Sequence, residues 1–259
     1  MLVPLLLASA GSRSIAAGYP ALDQAQLDWI GQQIFSNECA RQLPCLTSWN
    51  PGEDFPSLGI GHFIWYREDQ QEAFAESFPA LLQFLQAHGI ELPTWIVEAG
   101  YHAPWPNREA FLTAVDQPEL LELNSLLATT MDLQIAFIVQ RFQLAATAMS
   151  SGLDEPARAQ MAARLTELAN ASPPHGMYAL IDYVNFKGTG ILSAERYRDQ
   201  GWGLLQVLAG MSSESDDILA EFVKSASTVL ERRVANSPPQ RNEKKWLDGW
   251  KKRLQTYLR

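Results

Sequence analysis

Three carboxylates open the question of chemistry: Glu38, Glu53 and Asp54. Cleavage of a glycosidic bond needs one acid beside the leaving oxygen. A second group must steady the cationic sugar or activate water. Glu38 suits the first role. It lies four residues after Ile34 on the stripe Leu27, Ile30, Ile34, with Phe35 and Trp49 close in sequence. Apolar surroundings and a helix C-terminus both penalise the charged form, so a raised pKa and a protonated acid are expected. The plainer reading is a helix-end Glu in solvent or paired with Arg41. Glu53 and Asp54, 15 and 16 positions on, are candidates for the second group, or simply turn residues.

The elements that must position these groups follow from periodicity. Asp23 caps a helix expected over 23–39. A Pro/Gly-rich loop covers 41–54, and the β-branched and aromatic run 55–66 suggests a strand or tight hairpin. Helices are expected over 74–88, 118–149 (two), 155–170, 177–186, 202–211, 216–235 and 242–258, with Pro173-Pro174 and Pro238-Pro239 as breaks. The layout is one helix, a small β-element, then many helices.

Glu38, a loop, then Ser57-Leu58-Gly59-Ile60-Gly61-His62 resembles the phage-type lysozymes. In that family a catalytic Glu ends the first helix and a Thr-x-Gly-x-Gly-His hairpin follows. The arrangement is also similar to the chitosanases of the same superfamily. The likeness spans about forty residues. It implies a mainly α, α+β lysozyme-like fold, with two helical lobes and a small β-hairpin lining a cleft. It implies a glycosidase acting on β-1,4-linked amino-sugar polymers, peptidoglycan first and chitosan as the variant. A lytic transglycosylase or a non-catalytic glycan binder stays open. Thr47 stands where the phage-type enzymes carry Asp, and Ser57 replaces their water-holding Thr. Either Glu53 or Asp54 then completes the pair.

Substrate contacts are expected from Trp49, His62 and Tyr66, with Trp65 either platform or core. On the opposite wall they are expected from Asp182, Asn185, Lys187 and Gln206. His62 reads more as a structural hydrogen-bonding residue than as a catalyst.

Composition bounds the alternatives. With 259 residues, 47% hydrophobic and 19% charged, the chain is not disordered. A net charge of −9 argues against a general nucleic-acid binder. Residues 221–259 hold ten Lys/Arg against four Asp/Glu, a basic segment that could touch an anionic wall or membrane surface, or be a solvated helix face. Cys39 and Cys45 are either a small disulfide loop or free thiols. Two Cys without a paired His imply no metal, and no organic cofactor motif occurs. Residues 1–20 are read as a possible signal peptide or disordered N-terminus, lacking basic residues before an apolar run, and 21–259 as a single catalytic domain. A periplasmic or secreted location follows if that run is a signal, a cytoplasmic one if not. No stretch is long enough to span a membrane.

Overall fold

The computed structural model describes residues 19–72, 74–212 and 214–259. The expected leader over 1–20 lies almost wholly outside them. The described chain is mainly helical, with eleven α-helices and two small antiparallel sheets. Among the described residues no helix is long and apolar enough to cross a membrane.

Helix α1 (Gln24–Cys39) starts where expected. Asp23 accepts from the Gln26 backbone while the Gln26 side chain accepts from Asp23 N–H. It stops at Ala40, which adopts the left-handed region (φ 47°) and donates back to Ser36 O. That abrupt stop leaves Glu38 in the last turn.

The chain then folds into three short strands, β1 (Thr47–Ser48), β2 (Ser57–Leu58) and β3 (Phe63–Ile64), in that order. Ser48 faces Ser57, and Leu58 faces Phe63. The expected hairpin is β2–β3. Strand β1 falls inside the expected loop, and its two residues are too few to show alternation.

Helices α2 (Phe78–Ala87), α3 (Thr94–Glu98) and α4 (Arg108–Thr113) follow. Helix α2 begins later than the expected residue 74, because Pro79 occupies its first turn, where the missing N–H costs nothing. Helices α3 and α4 are too short for a periodic signal and went unforeseen. The pair expected over 118–149 is α5 (Pro118–Thr129) and α6 (Met131–Ser151). Then come α7 (Glu155–Ala169), α8 (His175–Lys187), the ribbon β4 (Arg196–Tyr197) and β5 (Gln200–Gly201), α9 (Leu204–Gly210), α10 (Ile218–Asn236) and α11 (Lys244–Leu254).

Helix α8 is the central element. Residues 176–184 are buried all round, as a helix apolar on every face must be. It packs on α6, α7, α9 and the 3-10 turn Gln255–Leu258 after α11. Gly176 permits this, since a Cβ there would meet Leu168 O at 1.8 Å. Helix α6 packs on α1, α2 and α8, so the first helix, the β-element's neighbour and the central helix share one support.

Candidate functional site

The last turn of α1, the β2–β3 turn, the C-terminal half of α8 and the end of α11 converge on Glu38. Its side chain keeps 15% exposure. Arg253 Nη2 donates to Glu38 Oε1 at 2.7 Å, across 215 positions of sequence. The same guanidinium donates to both oxygens of Asp182, at 2.9 and 2.7 Å. Tyr257 OH donates to Asp182 Oδ2 at 2.7 Å. Asp182 is 0% exposed. Arg253 is therefore pinned from behind and presented to Glu38.

This arrangement corrects the expected electrostatics of Glu38. Burial does push its carboxyl up, as expected. The Arg253 charge and hydrogen bond, with His62 and Lys187 nearby, outweigh that and hold it below the usual glutamate value. Glu38 thus rests as a carboxylate, and its partner is Arg253, not Arg41. No local sequence feature announces this pair. Arg253 ends the run Lys251-Lys252-Arg253, which reads as a solvated basic face. The usable hint is that Arg253 falls three residues after Trp250 and seven after Trp246, on the apolar stripe of α11.

His62 Nδ1 stands 3.5 Å from Glu38 Oε2, and its Nε2 stands 3.5 Å from both sulfurs of the Cys39–Cys45 disulfide. His62 is thus a bracket between the carboxylate and the disulfide, in line with a structural role. The structure does bring a His to the two cysteines. With the sulfurs bonded to each other they offer no thiolate ligands.

The glycine turn that carries His62 is tied down by Gln134 of α6, which sequence reading missed. Its Oε1 accepts from Ile60 N–H at 2.9 Å, and its Nε2 donates to Leu127 O at 2.7 Å. Gly59 has φ +69°, and a Cβ there would stand 2.4 Å from Gln134 Oε1. The two glycines serve close packing on α6 and Phe63.

Of the two second-carboxylate candidates, Glu53 lies against Ser57, with Ser57 Oγ 3.5 Å from Glu53 Oε2, and also accepts from Asn50 at 3.1 Å. Asp54 is exposed, and its side chain makes no hydrogen bond among the described residues.

Several of the expected substrate contacts are engaged within the protein. Trp49 is buried against Phe111 and donates to Glu53 O at 2.7 Å, so it shapes the loop and presents no sugar face. Tyr66 is buried, donates to Phe74 O, and is pushed up to about 12 by burial and by Glu72, Glu76 and Glu53. Trp65 is core, packed on Phe78 and Trp105. Asp182 braces Arg253 and is sealed from solvent. Gln206 accepts from Gly203 N–H and donates to Gly190 O, holding the turn after α8. Asn185 donates to Gly61 O at 3.3 Å, while its Oδ1 is enclosed without a partner. Lys187 is 9% exposed and lies on the rings of Phe186 and Trp250.

Beside this network sits a second. Glu243, 0% exposed, receives two hydrogen bonds from Arg233 at 2.8 and 2.9 Å and one each from Arg241 and Tyr197. These donors hold its carboxyl below the ordinary value against the opposing effect of burial, the largest single influence. Arg233 also lies over Trp202 at 4.1 Å. A surface hollow lined by Arg67, Glu68, Asp69, Gln70 and His102 contains none of these buried ion pairs.

Comparison with known proteins finds no relative: no family model, no curated protein and no solved structure matches the chain.

Proposed function

We propose that this chain is a lysozyme-like glycoside hydrolase or lytic enzyme that cleaves β-1,4-linked amino-sugar polymers, peptidoglycan foremost, with Glu38 as general acid. The observation that carries the reading is Glu38 itself. It is a partly exposed carboxylate at the end of the first helix, beside the β-hairpin, and held by a buried Arg253 that is braced by Asp182 and Tyr257. A surface glutamate of no consequence has no need of a buried guanidinium to aim it. Such fixed geometry is what proton transfer to a leaving oxygen requires.

In the resting state Glu38 is ionised, so it must gain a proton before it can act. The reaction is therefore favoured on the acid side. Glu38 would then protonate the glycosidic oxygen as the C–O bond breaks. Glu53 would orient water against the opposite side of the sugar or steady its positive charge, with Ser57 holding either the carboxylate or the water. The residues assigned these roles are protein side chains alone. A chitosanase-like hydrolase is the near variant.

A non-catalytic glycan binder with the same fold is the second reading. Its support is the lowered pKa of Glu38, which leaves the carboxyl without a proton to donate at neutral pH. The experiment is digestion of purified peptidoglycan and of chitosan, at acidic and neutral pH, by wild type and Glu38→Gln, with products read by mass spectrometry. The expected result is wild-type cleavage that falls by about 10² to 10⁴-fold in the variant. Reducing ends mark a hydrolase and anhydro ends a transglycosylase. A folded wild type that cuts neither polymer, yet binds one, establishes the binder instead.

A further inference from the structure

Cys39, Cys45 and His62 meet at one point from three separate elements. Cys39 is the last residue of α1, Cys45 lies in the 3-10 turn Leu43–Leu46, and His62 closes the turn between β2 and β3. Each element is held by contacts other than the sulfurs. The left-handed Ala40 stops α1, Asn124 of α5 donates to Leu43 O, and Gln134 of α6 accepts from Ile60 N–H. His62 itself adopts the left-handed region (φ 48°), a conformation that a residue with a side chain keeps only where its surroundings impose it.

The resulting contact gains little for the oxidised protein. His62 Nε2 stands 3.5 Å from each sulfur. Glu38 Oε2, 3.5 Å from Nδ1, favours the ring proton there and leaves Nε2 as a lone pair. A disulfide has no hydrogen to offer it, and among the described residues Nε2 has no other partner. The spacing is instead that of a metal site. A tetrahedral zinc about 2.3 Å from sulfur and about 2.0–2.1 Å from nitrogen sets nitrogen–sulfur edges of about 3.5 Å and a sulfur–sulfur edge of about 3.8 Å. Both nitrogen–sulfur edges are already in place, and only the sulfurs must part. Glu38 stands behind the ring where a metal-bound histidine usually has a carboxylate. Cys45 is half-buried and the His62 side chain keeps 19% exposure, so a reductant and an ion can reach the cluster.

We propose that Cys39, Cys45 and His62 form a zinc site once the disulfide is reduced, with water in the fourth position. A dithiol reductant supplies two electrons and two protons. The S–S bond breaks, two thiols form, and the reductant leaves as its own disulfide. Zn²⁺ then forms two Zn–S bonds and one Zn–N bond, and both thiol protons pass to solvent. Thiolates select such an ion over magnesium or calcium. Where thiols are kept reduced the chain carries zinc, and in an oxidising compartment it stays cross-linked and metal-free. The site does not depend on the glycosidase reading.

The test is titration of the full chain with Zn²⁺, and with Co²⁺ as its coloured substitute, before and after reduction by a phosphine that is then removed under inert gas. The reduced chain should take up a single zinc, release about two protons on binding, and give with cobalt a thiolate charge-transfer band and the intense visible bands of tetrahedral coordination. The oxidised chain should show none of these. Glu38→Gln, which removes only the carboxylate behind the ring, should weaken zinc binding about 10- to 100-fold and keep the cobalt bands. His62→Ala should weaken it further and change those bands. Circular dichroism follows the fold throughout, and a reduced chain that unfolds without metal but refolds on zinc supports the site equally. The proposal is overturned by a reduced chain that takes up no zinc, by zinc bound to a chain that stays unfolded, or by equal uptake in the oxidised form. Uptake unchanged in His62→Ala also overturns it, since the ion would then sit on the cysteine pair alone.

Discussion

Replacing Arg253 with methionine removes the guanidinium and keeps much of the apolar bulk. The consequence falls mainly on Asp182. It is wholly buried, accepts two hydrogen bonds from Arg253, and would retain only the one from Tyr257. Stripping a buried charge of its partner costs about 3–5 kcal/mol. For a chain of this size each kcal/mol lowers Tm by about 2–4 °C, so the melt should drop by roughly 6–20 °C. Glu38 adds less, because its carboxylate is partly exposed and can turn to water. The control is Arg253→Met combined with Asp182→Asn, which removes both charges. A double-mutant cycle from urea unfolding at neutral pH should then give a coupling on the order of 1–3 kcal/mol. A single variant within about 1 kcal/mol of wild type, or additive variants, would refute the claim that Arg253 is held by a buried ion pair.

The same guanidinium sets a pH dependence. Glu38 is held below 4.5, so in the proposed general-acid role it would lose its proton, and kcat/KM should fall, as pH rises through that lowered value. Arg253→Met should move this limb to higher pH, and an unmoved limb would remove Glu38 from the acid role. Because the folded value is depressed, Glu38 also contributes stability that is full above about 4.5 and lost as pH falls through the folded value. The gap in urea midpoint between wild type and Glu38→Gln should close over that window. Gly59→Ala forces a left-handed conformation on a residue with a side chain and drives its Cβ into Gln134 Oε1. A loss of roughly 2–4 kcal/mol is expected by chemical unfolding, and a neutral result would mean the turn is free to move. Reducing the Cys39–Cys45 disulfide reopens a small loop, worth roughly 2 kcal/mol by chain entropy. A denaturation curve in strong reductant that overlays the oxidised one would contradict it.

Local chemistry was legible in the chain itself. The Asp23 cap, the end of α1 at Glu38 and Cys39, and the paired prolines between helices all rest on interactions within a few residues. So does the order of one helix, a β-element and many helices. The glycines at 59 and 61 likewise marked a constrained turn, though what constrains them, Gln134 and Phe63, could not be read from nearby sequence. Tertiary structure decided the rest. Trp49 and Tyr66 have the residue types of sugar platforms, yet neighbours from α4 and the 67–77 segment bury them. Asp182 and Lys187 sit on one helix and look equally available. One is sealed beneath Arg253, and the other lies on the rings of Phe186 and, from α11, Trp250. Above all, the charge state of Glu38 depends on an arginine 215 positions away. Sequence sets the short-range terms of burial and helix dipole. The long-range Coulomb term that reverses them exists only once α11 has docked.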